Sequence, residues 1–592
     1  MLCAHQQSAL KLSHTLLLVA GVAWPASSHA QINPGTLNPG LQQQQELQQQ
    51  QERQLPNVQR EKPAPLIDEQ PETLPQQEKD PELLINRVEV EGAQVMDEER
   101  IAAVFAPLLN QAIRFSQLQD ALNQASNLYR DAGYFTSRVL IPKGGLVDGV
   151  LRVQAVEGYL EEVEVVGRGS AGLKRWTVFY LDPLVSSPED PRPIRFSQLE
   201  RQILLMQSFG GVRFRSSLAQ GKNFGGSKLI VDLNPSAGGG SISINNNVQS
   251  QLGDYQLAAA LQANVLAAPQ PLQLTLSGSN AFPYPGGLAS GNVGFTTPIG
   301  NRGLRLVGTG SLTSTASAAT PIPLGDGSSV NLTSGGQSWL GNLALRYPIV
   351  LSRTASLSVS LAGEVQNASN NTYIDNVLVL RNPSRLRMAR LGLDGSLSTP
   401  FYASSANLRI SQGLPIANAL DSVTLAATEG SLPYGSVDYT SARLTLRHQQ
   451  RISDSNAFIT LTGMGQLANS TLPGAEDFSY GGPFLGRAYR GSYLIGDQGA
   501  AGGVELSQAF YGQGWSLTPY LFGDIGVASN NFDLPTPPNY TAASYGIGVR
   551  GSVGSSGSFD LGWGIPAGPY PGSVGRTGPA NSIVYVQAAL TF

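Results

Sequence analysis

Cysteine is almost absent from this chain: among 592 residues the one example is Cys3. Histidine is nearly as scarce, with four residues, His5, His14, His29 and His448. Lysine stops altogether at Lys228, and charged residues make up only 14% of the whole. Beyond the first thirty residues no run reaches the ~18 consecutive apolar residues that a spanning helix requires. Each shortage excludes something. One cysteine near the N-terminus leaves no disulfide framework and no thiolate metal site. With so few histidines a zinc site lacks ligands, and a Ser–His–Asp triad would have to use His448, which falls on an expected strand with no nucleophile-elbow sequence beside it. A pair of carboxylates such as Glu161 and Glu162 reads better as a solvated strand edge than as an acid–base couple. There is no G-x-x-x-x-G-K-[ST] motif to hold a nucleotide. A net charge of −4 argues against nucleic acid as partner. The expectation is therefore no catalytic residue, no cofactor and no metal.

The chain opens on an export signal, residues 1–30. Lys11 and His14 precede the apolar run Leu16-Leu17-Leu18-Val19-Ala20-Gly21-Val22-Ala23-Trp24, and Ser28 and Ala30 supply the small residues of a cleavage site before Gln31. Cys3 lies ahead of the apolar run, so it is not placed for lipidation. Residues 31–83 are rich in glutamine and then in proline: Gln42–Gln45 and Gln48–Gln51 are followed by Pro56, Pro63, Pro65, Pro71 and Pro75. A short polar helix followed by an extended linker fits, because each proline removes a donor and clashes with the preceding turn.

Residues 84–235 read as soluble α+β structure in two tandem units, 84–158 and 159–235. Ile113-Arg114-Phe115-Ser116-Gln117-Leu118 recurs as Ile194-Arg195-Phe196-Ser197-Gln198-Leu199. Ser116 with Gln119, and Ser197 with Glu200, have the spacing of capping boxes that satisfy orphan amides at a helix start. Apolar residues at helical spacing follow each, and β-rich runs flank them, in the order strand, helix, helix, strand, strand, twice.

From 236 to 592 the pattern changes to strict alternation. Leu272, Leu274 and Leu276 alternate with Gln273, Thr275 and Ser277; Leu357, Val359 and Leu361 alternate with serines. Period two with one apolar and one small or polar face marks a strand between unlike environments. A soluble sandwich would meet water with Lys and Glu, whereas Ser, Thr, Gln, Gly and Arg dominate here. About sixteen such segments follow one another, from Ser241–Ser250 to Ile583–Phe592, as in a closed antiparallel transmembrane barrel. The last strand carries Tyr585 and ends on Phe592, an aromatic terminus that supports outer-membrane insertion.

One segment stands apart. Ser479–Leu506 is glycine-rich, with Gly481, Gly482, Gly486 and Gly491, and most of it lies between the eleventh and twelfth strands. Arg487 sits within it. Two strands on, Asp524 interrupts the apolar run Tyr520-Leu521-Phe522-Gly523-Asp524-Ile525-Gly526 and must face the lumen. Arg487, on a loop folded back into the barrel, could pair with Asp524 through two parallel hydrogen bonds. On residue chemistry alone an external glycine-rich loop beside an unrelated strand aspartate fits equally well.

With these motifs the chain resembles the TpsB transporters of two-partner secretion, the FhaC/ShlB/HecB-like haemolysin secretion/activation family, in the superfamily that also holds the barrel-assembly proteins. GGPFLGRAYRGSYLIGDQGA looks like that family's lumen-inserted sixth loop, whose core reads Val-Arg-Gly-Tyr or -Phe; Gly486-Arg487-Ala488-Tyr489 stands in its place. A register shifted to Tyr489-Arg490-Gly491-Ser492 would keep Arg-Gly but lose the closing aromatic. Asp524 matches the family's acidic partner of the loop arginine, and Gly133-Tyr134-Phe135-Thr136-Ser137-Arg138-Val139 looks like its first POTRA domain. The resemblance implies a signal peptide, a plug helix and linker, two periplasmic POTRA domains and a sixteen-stranded outer-membrane barrel. It implies a lock made by Arg487, Tyr489 and Asp524. It implies as partners a secreted TpsA-like exoprotein with an N-terminal secretion domain, the lipid and lipopolysaccharide of the membrane, and the barrel assembly machinery during biogenesis. Two rivals stand beside it: a barrel-assembly factor, which carries more POTRA units, and a passive solute channel, which needs no repeated modules.

Overall fold

A computed structural model describes residues 39–44, 80–209, 211–266, 270–283, 287–324, 326–425, 431–433, 435–531, 539–567 and 582–592. The export signal and most of the Gln/Pro-rich stretch lie outside the described residues.

Two α+β modules precede the barrel. In the first, strand Arg87–Glu91 runs parallel to Val150–Val156, and Arg138–Leu140 pairs antiparallel on the other side. Helices Glu98–Phe105 and Phe115–Asp131 cover the sheet, burying Ile101, Phe105, Leu118 and Tyr129 against Leu151 and Val153. The second module repeats the plan with Tyr159–Gly167 parallel to Gly226–Leu233, Phe214–Gln220 antiparallel, and helices Ala171–Leu181 and Phe196–Gln207. Its core gathers Trp176, Tyr180, Leu199, Ile203, Met206 and Phe209.

The repeated hexapeptide does start both long helices, but not where its serine implies. The helices begin at Phe115 and Phe196, and arginine occupies the N-cap. Gln117 Oε1 accepts from the Arg114 amide (2.8 Å), and Gln198 Oε1 from the Arg195 amide (3.2 Å). The box is therefore shifted from Ser116/Gln119 and Ser197/Glu200 to Arg-x-x-Gln. Ser116 is otherwise engaged: its amide and hydroxyl both donate to the Asp80 carboxylate at 2.8 Å. The opening helical amide extends a short ladder within the first module and serves as the joint between modules in the second. Phe115 N–H donates to Pro81 C=O (3.1 Å), and Phe196 N–H donates to Gly133 C=O in the first module (2.8 Å). Arg195 Nε adds a bond to Tyr134 Oη (2.9 Å), and Phe135 packs edge-on to Phe196.

The remainder closes into a sixteen-strand antiparallel barrel. We number its strands β1 (Gly238–Asn245), β2 (Tyr255–Val265), β3 (Leu272–Phe282), β4 (Leu288–Ile299), β5 (Leu304–Ala316), β6 (Ser329–Leu351), β7 (Ala355–Ile374) and β8 (Val377–Ser398). There follow β9 (Tyr402–Gly413), β10 (Thr440–Arg451), β11 (Ala457–Ala468), β12 (Gln498–Gln508), β13 (Trp515–Ser529), β14 (Asn539–Val553), β15 (Gly557–Ala567) and β16 (Ile583–Thr591). Every segment expected from alternation is a strand. β13 shows why: Tyr520, Phe522 and Asp524 are buried inward, while Leu521 and Ile525 are more than half exposed on the outside. An apolar outer face with a polar, buried inner face is stable only in a hydrocarbon surround.

Three strands are longer than alternation implies. β6, β7 and β8 run to 23, 20 and 22 residues, about twice what a tilted strand needs to cross a bilayer. The added part of β7, Ala368-Ser369-Asn370-Asn371-Thr372, has no apolar lipid-facing stripe, so there the signal ends before the ladder does. The barrel closes where β1 meets β16 over Ser241–Asn245 and Gln587–Thr591. Phe592 extends that seam with reciprocal backbone bonds to Gly240 (2.9 and 3.0 Å), its ring exposed on the outside. At the end bearing the modules, helix Phe196–Gln207 docks on the barrel turns. Glu200 pairs with Arg353 (3.1 Å), and Gln202 Nε2 donates to Asn301 C=O (3.0 Å).

Candidate functional site: the occupied barrel lumen

The connection from β11 to β12 leaves the barrel at the end opposite the modules and turns back inside. A small hairpin, Phe478–Tyr480 with Leu494–Gly496, frames it. Gly481, Gly482, Gly486 and Gly491 all have positive φ (127°, 122°, 83° and 52°). At Gly486 the requirement is double, since a Cβ there would stand 2.7 Å from Gly481 Cα. The wall has been hollowed to receive the loop. A Cβ on Gly526 of β13 would meet the Tyr480 ring at 2.5 Å, and one on Gly564 of β15 would meet Arg487 C=O at 2.7 Å. Gly526→Leu should therefore evict the loop while leaving the ladder intact. Trypsin should then cut the purified protein after Arg487 and Arg490, which stay protected in the unaltered chain; equal protection in both would show that the wall does not seat the loop.

Arg487 and Asp524 are both buried here, but they do not pair, contrary to the sequence-based expectation. Arg487 Nη1 meets Glu505 Oε2 on β12 at 2.7 Å. Its guanidinium lies 4.4 Å from the Phe522 ring centroid, a cation–π contact. Asp524 Oδ1 instead accepts three bonds: from Tyr480 Oη (2.6 Å), Ser544 Oγ (2.6 Å) and the Gly486 amide (2.9 Å). The register explains the division. Asp524 stands opposite Gly503, and Glu505 stands opposite Phe522. The loop backbone reaches the wall at Asp524, and the long arginine side chain then passes along it by two residues, about 6.6 Å, to the next carboxylate. Glu505 also binds Arg550 Nη2 of β14 (2.7 Å), so one carboxylate, nearly buried, serves two guanidinium groups.

The other expected residues join this network. Tyr489 stacks on Tyr493 at 4.1 Å, and its hydroxyl donates to Ala543 C=O (3.0 Å). Tyr585 faces the lumen, with its hydroxyl 2.8 Å from Tyr520 Oη, which in turn bonds Asp560 Oδ1 (2.6 Å). Arg490 points away, to Asp254 ahead of β2 (3.6 Å), so of the two loop arginines it is Arg487 that reaches the carboxylate on β12. Glu505 is the residue that sequence reasoning missed. It was visible as a lone carboxylate on an expected membrane strand, by the same rule that selected Asp524.

Residues 39–44 form a helical turn inside the barrel. Gln43 Nε2 donates to Ser311 Oγ (2.6 Å), and its Oε1 accepts from Ser338 Oγ (2.8 Å) and Gln366 Nε2 (3.1 Å). Gln44 Nε2 donates to Glu364 Oε1 (3.1 Å). Uncharged amides on inward-facing hydroxyls and amides suit a segment that fits snugly yet carries no charge of its own.

The residues weighed for chemistry have structural partners. Ser404 Oγ lies 2.8 Å from His448 Nδ1, a cross-strand pair in register between β9 and β10. Glu161 accepts from the Lys222 and Asn223 amides and from Asn223 Nδ2, and the Asn223 backbone bond leads in holding its carboxyl below the ordinary range. Glu162 pairs with Lys222 (3.2 Å).

Residues 225–551 match the family described as Haemolysin secretion/activation protein ShlB/FhaC/HecB, and residues 83–158 match the POTRA domain of ShlB type. The chain is 24% identical over 500 residues to the outer membrane transporter CdiB of Escherichia coli O6:K15:H31, covering 84% of this chain and 80% of that protein. It is 21% identical over 474 residues to the heme/hemopexin transporter protein HuxB of Haemophilus influenzae strain 86-028NP, covering 78% and 79%. The solved structure of CdiB from Escherichia coli shares the fold at a TM-score of 0.68, with 20% identity over 95% of this chain and all of that one. A closed barrel behind α+β modules, a glycine-rich loop folded into its lumen and a family match across more than half the sequence converge: the chain belongs to the ShlB/FhaC/HecB haemolysin secretion/activation family, the outer-membrane transporters of two-partner secretion.

Proposed function

We propose that this transporter takes an unfolded exoprotein from the periplasm through its own barrel, that the loop held by Arg487, Glu505, Tyr489 and Asp524 sets the conformation that conducts the client, and that residues 39–44 plug the resting lumen. The observation that carries this reading is the double occupancy of a closed barrel: a loop anchored from one end and a helical turn bound by amides to the wall. The client is an exoprotein with an N-terminal secretion domain. Open sheet edges at Arg87–Glu91 and Phe214–Gln220 present unpaired backbone groups to which an extended client segment can add as a strand. Transport is passive, and folding of the client outside biases motion outward. Lipid and lipopolysaccharide surround the apolar outer face. The barrel assembly machinery inserts the chain, with Tyr585 and Phe592 in the strand that completes closure.

The test is to delete the gene and compare the proteins of the medium and cell surface by mass spectrometry. Loss of one large exported protein, restored by the unaltered gene and not by Arg487→Ala, is the expected result. Unchanged exoproteins with several depleted outer-membrane barrels would overturn it in favour of an assembly factor. No change in either would leave a solute channel.

A further inference from the structure

Arg390 of β8 lies between the two occupants of the lumen. Its side chain is 8% exposed, and each of its five N–H groups has an acceptor. Nε and Nη2 bind Glu364 of β7 (3.1 and 2.8 Å); Nη1 and Nη2 bind Glu476 of the β11–β12 loop (3.2 and 2.7 Å); Nη1 also binds Ser411 of β9 (2.8 Å). Both carboxylates are as buried as the arginine. Glu364 Oε1 is in turn the atom that receives Gln44 Nε2. A continuous path thus runs from the loop through Glu476, Arg390 and Glu364 to residues 39–44, built on β7–β9 where the Arg487–Glu505 contact is built on β12.

We propose that Arg390 is the positioning residue that ties the loop and residues 39–44 into one closed arrangement, so that release of either weakens the hold on the other. This rests on the reading of both segments as occupants of the resting lumen. The physical cause is competition for one oxygen. Arg390 Nη2 and Gln44 Nε2 both donate to Glu364 Oε1. While Glu476 shares the guanidinium, Arg390 is drawn equally to two carboxylates and leaves room on that oxygen for the glutamine. Once Glu476 departs with the loop, the full charge-assisted interaction falls on Glu364, and a neutral amide competes poorly against it. Linkage makes the effect reciprocal: loss of residues 39–44 must loosen Glu476 by the same factor.

The experiment uses full-length protein in outer-membrane vesicles. Gln43→Cys with Ser338→Cys, joined by a short bifunctional thiol reagent, reports residence of residues 39–44 in the lumen. Glu476→Gln alters the loop side of the path only. We expect it to lower the cross-linked fraction by about threefold, the low end for residues that share one ion-pair network. Arg390→Gln, which removes the competitor for Glu364 Oε1, should restore the cross-linked fraction when it is combined with Glu476→Gln. Glu476→Asp, which keeps the charge, serves if the glutamine variant fails the heat-modifiability test of barrel folding. A wild-type cross-linked fraction in Glu476→Gln, with Arg487 newly open to trypsin, would show that the loop leaves without disturbing residues 39–44 and would overturn the coupling alone. Absence of the cross-link in the otherwise unaltered chain would overturn both the coupling and the plugging reading beneath it.

Discussion

Glu505→Gln should abolish export of the client, whereas Asp524→Asn should leave most of it. The ranking follows from what each carboxylate holds. Glu505 is the acceptor for Arg487 and Arg550, both carried by one oxygen. Neutralising it strands two guanidinium groups in a confined lumen, and breaking a buried pair in this way costs about 3–5 kcal/mol locally. Even 3 kcal/mol shifts the loop's seated population by roughly two orders of magnitude, and with it the conformation that conducts the client. All three bonds to Asp524 fall on a single oxygen, and their donors are a tyrosine hydroxyl, a serine hydroxyl and an amide. An asparagine carbonyl can accept from the same donors, so the substitution removes charge but not geometry. Measuring the exported client in the medium beside the amount of folded transporter checks this. A reversed order, with Asp524→Asn the more damaging, would mean that Arg487 works against Asp524 after all.

The second large effect belongs to residues 39–44. Deleting them removes the Gln43 and Gln44 amides from Ser311, Ser338, Gln366 and Glu364, and replaces a fitted segment by water. Purified protein in planar bilayers should change from rare brief openings to a sustained conductance. Cells should become sensitive to antibiotics too large for ordinary porins. The loop alone still fills part of the lumen, so conductance should rise again when Gly526→Leu is added. An unchanged current after deletion would show that the loop by itself seals the barrel.

The sequence was most legible where one physical contrast governed each residue. All sixteen strands follow from lipid on one face and a polar lumen on the other, as β13 shows residue by residue. That contrast fades beyond the membrane, which is why the outer third of β7 was hidden. The modules were legible from the repeated hexapeptide, although the serine drew attention from the glutamine that caps. Asp524 was found because a charge on an apolar strand demands a reason. Its partner was misassigned because the destination of a flexible arginine depends on the cross-strand register, which places Glu505 two positions along from the point where the loop touches down. The glutamine tract hid its own working part. Nothing in a run of identical amides distinguishes Gln43 and Gln44 from their neighbours; their positions inside the wall do.

The joint between the modules has a consequence for how such arms lengthen. The donor is the first helical amide of the second hexapeptide, and the acceptor is a main-chain carbonyl, Gly133 of the first module. Both groups belong to the main chain, so this bond tolerates side-chain change, whereas the Arg195–Tyr134 and Phe135–Phe196 contacts beside it require those residues. A duplicated unit would carry the same main-chain donor, and would dock where its predecessor offers a carbonyl with partners for its arginine and phenylalanine. Arms of different reach can therefore arise by gain or loss of whole units that keep this short set of contacts.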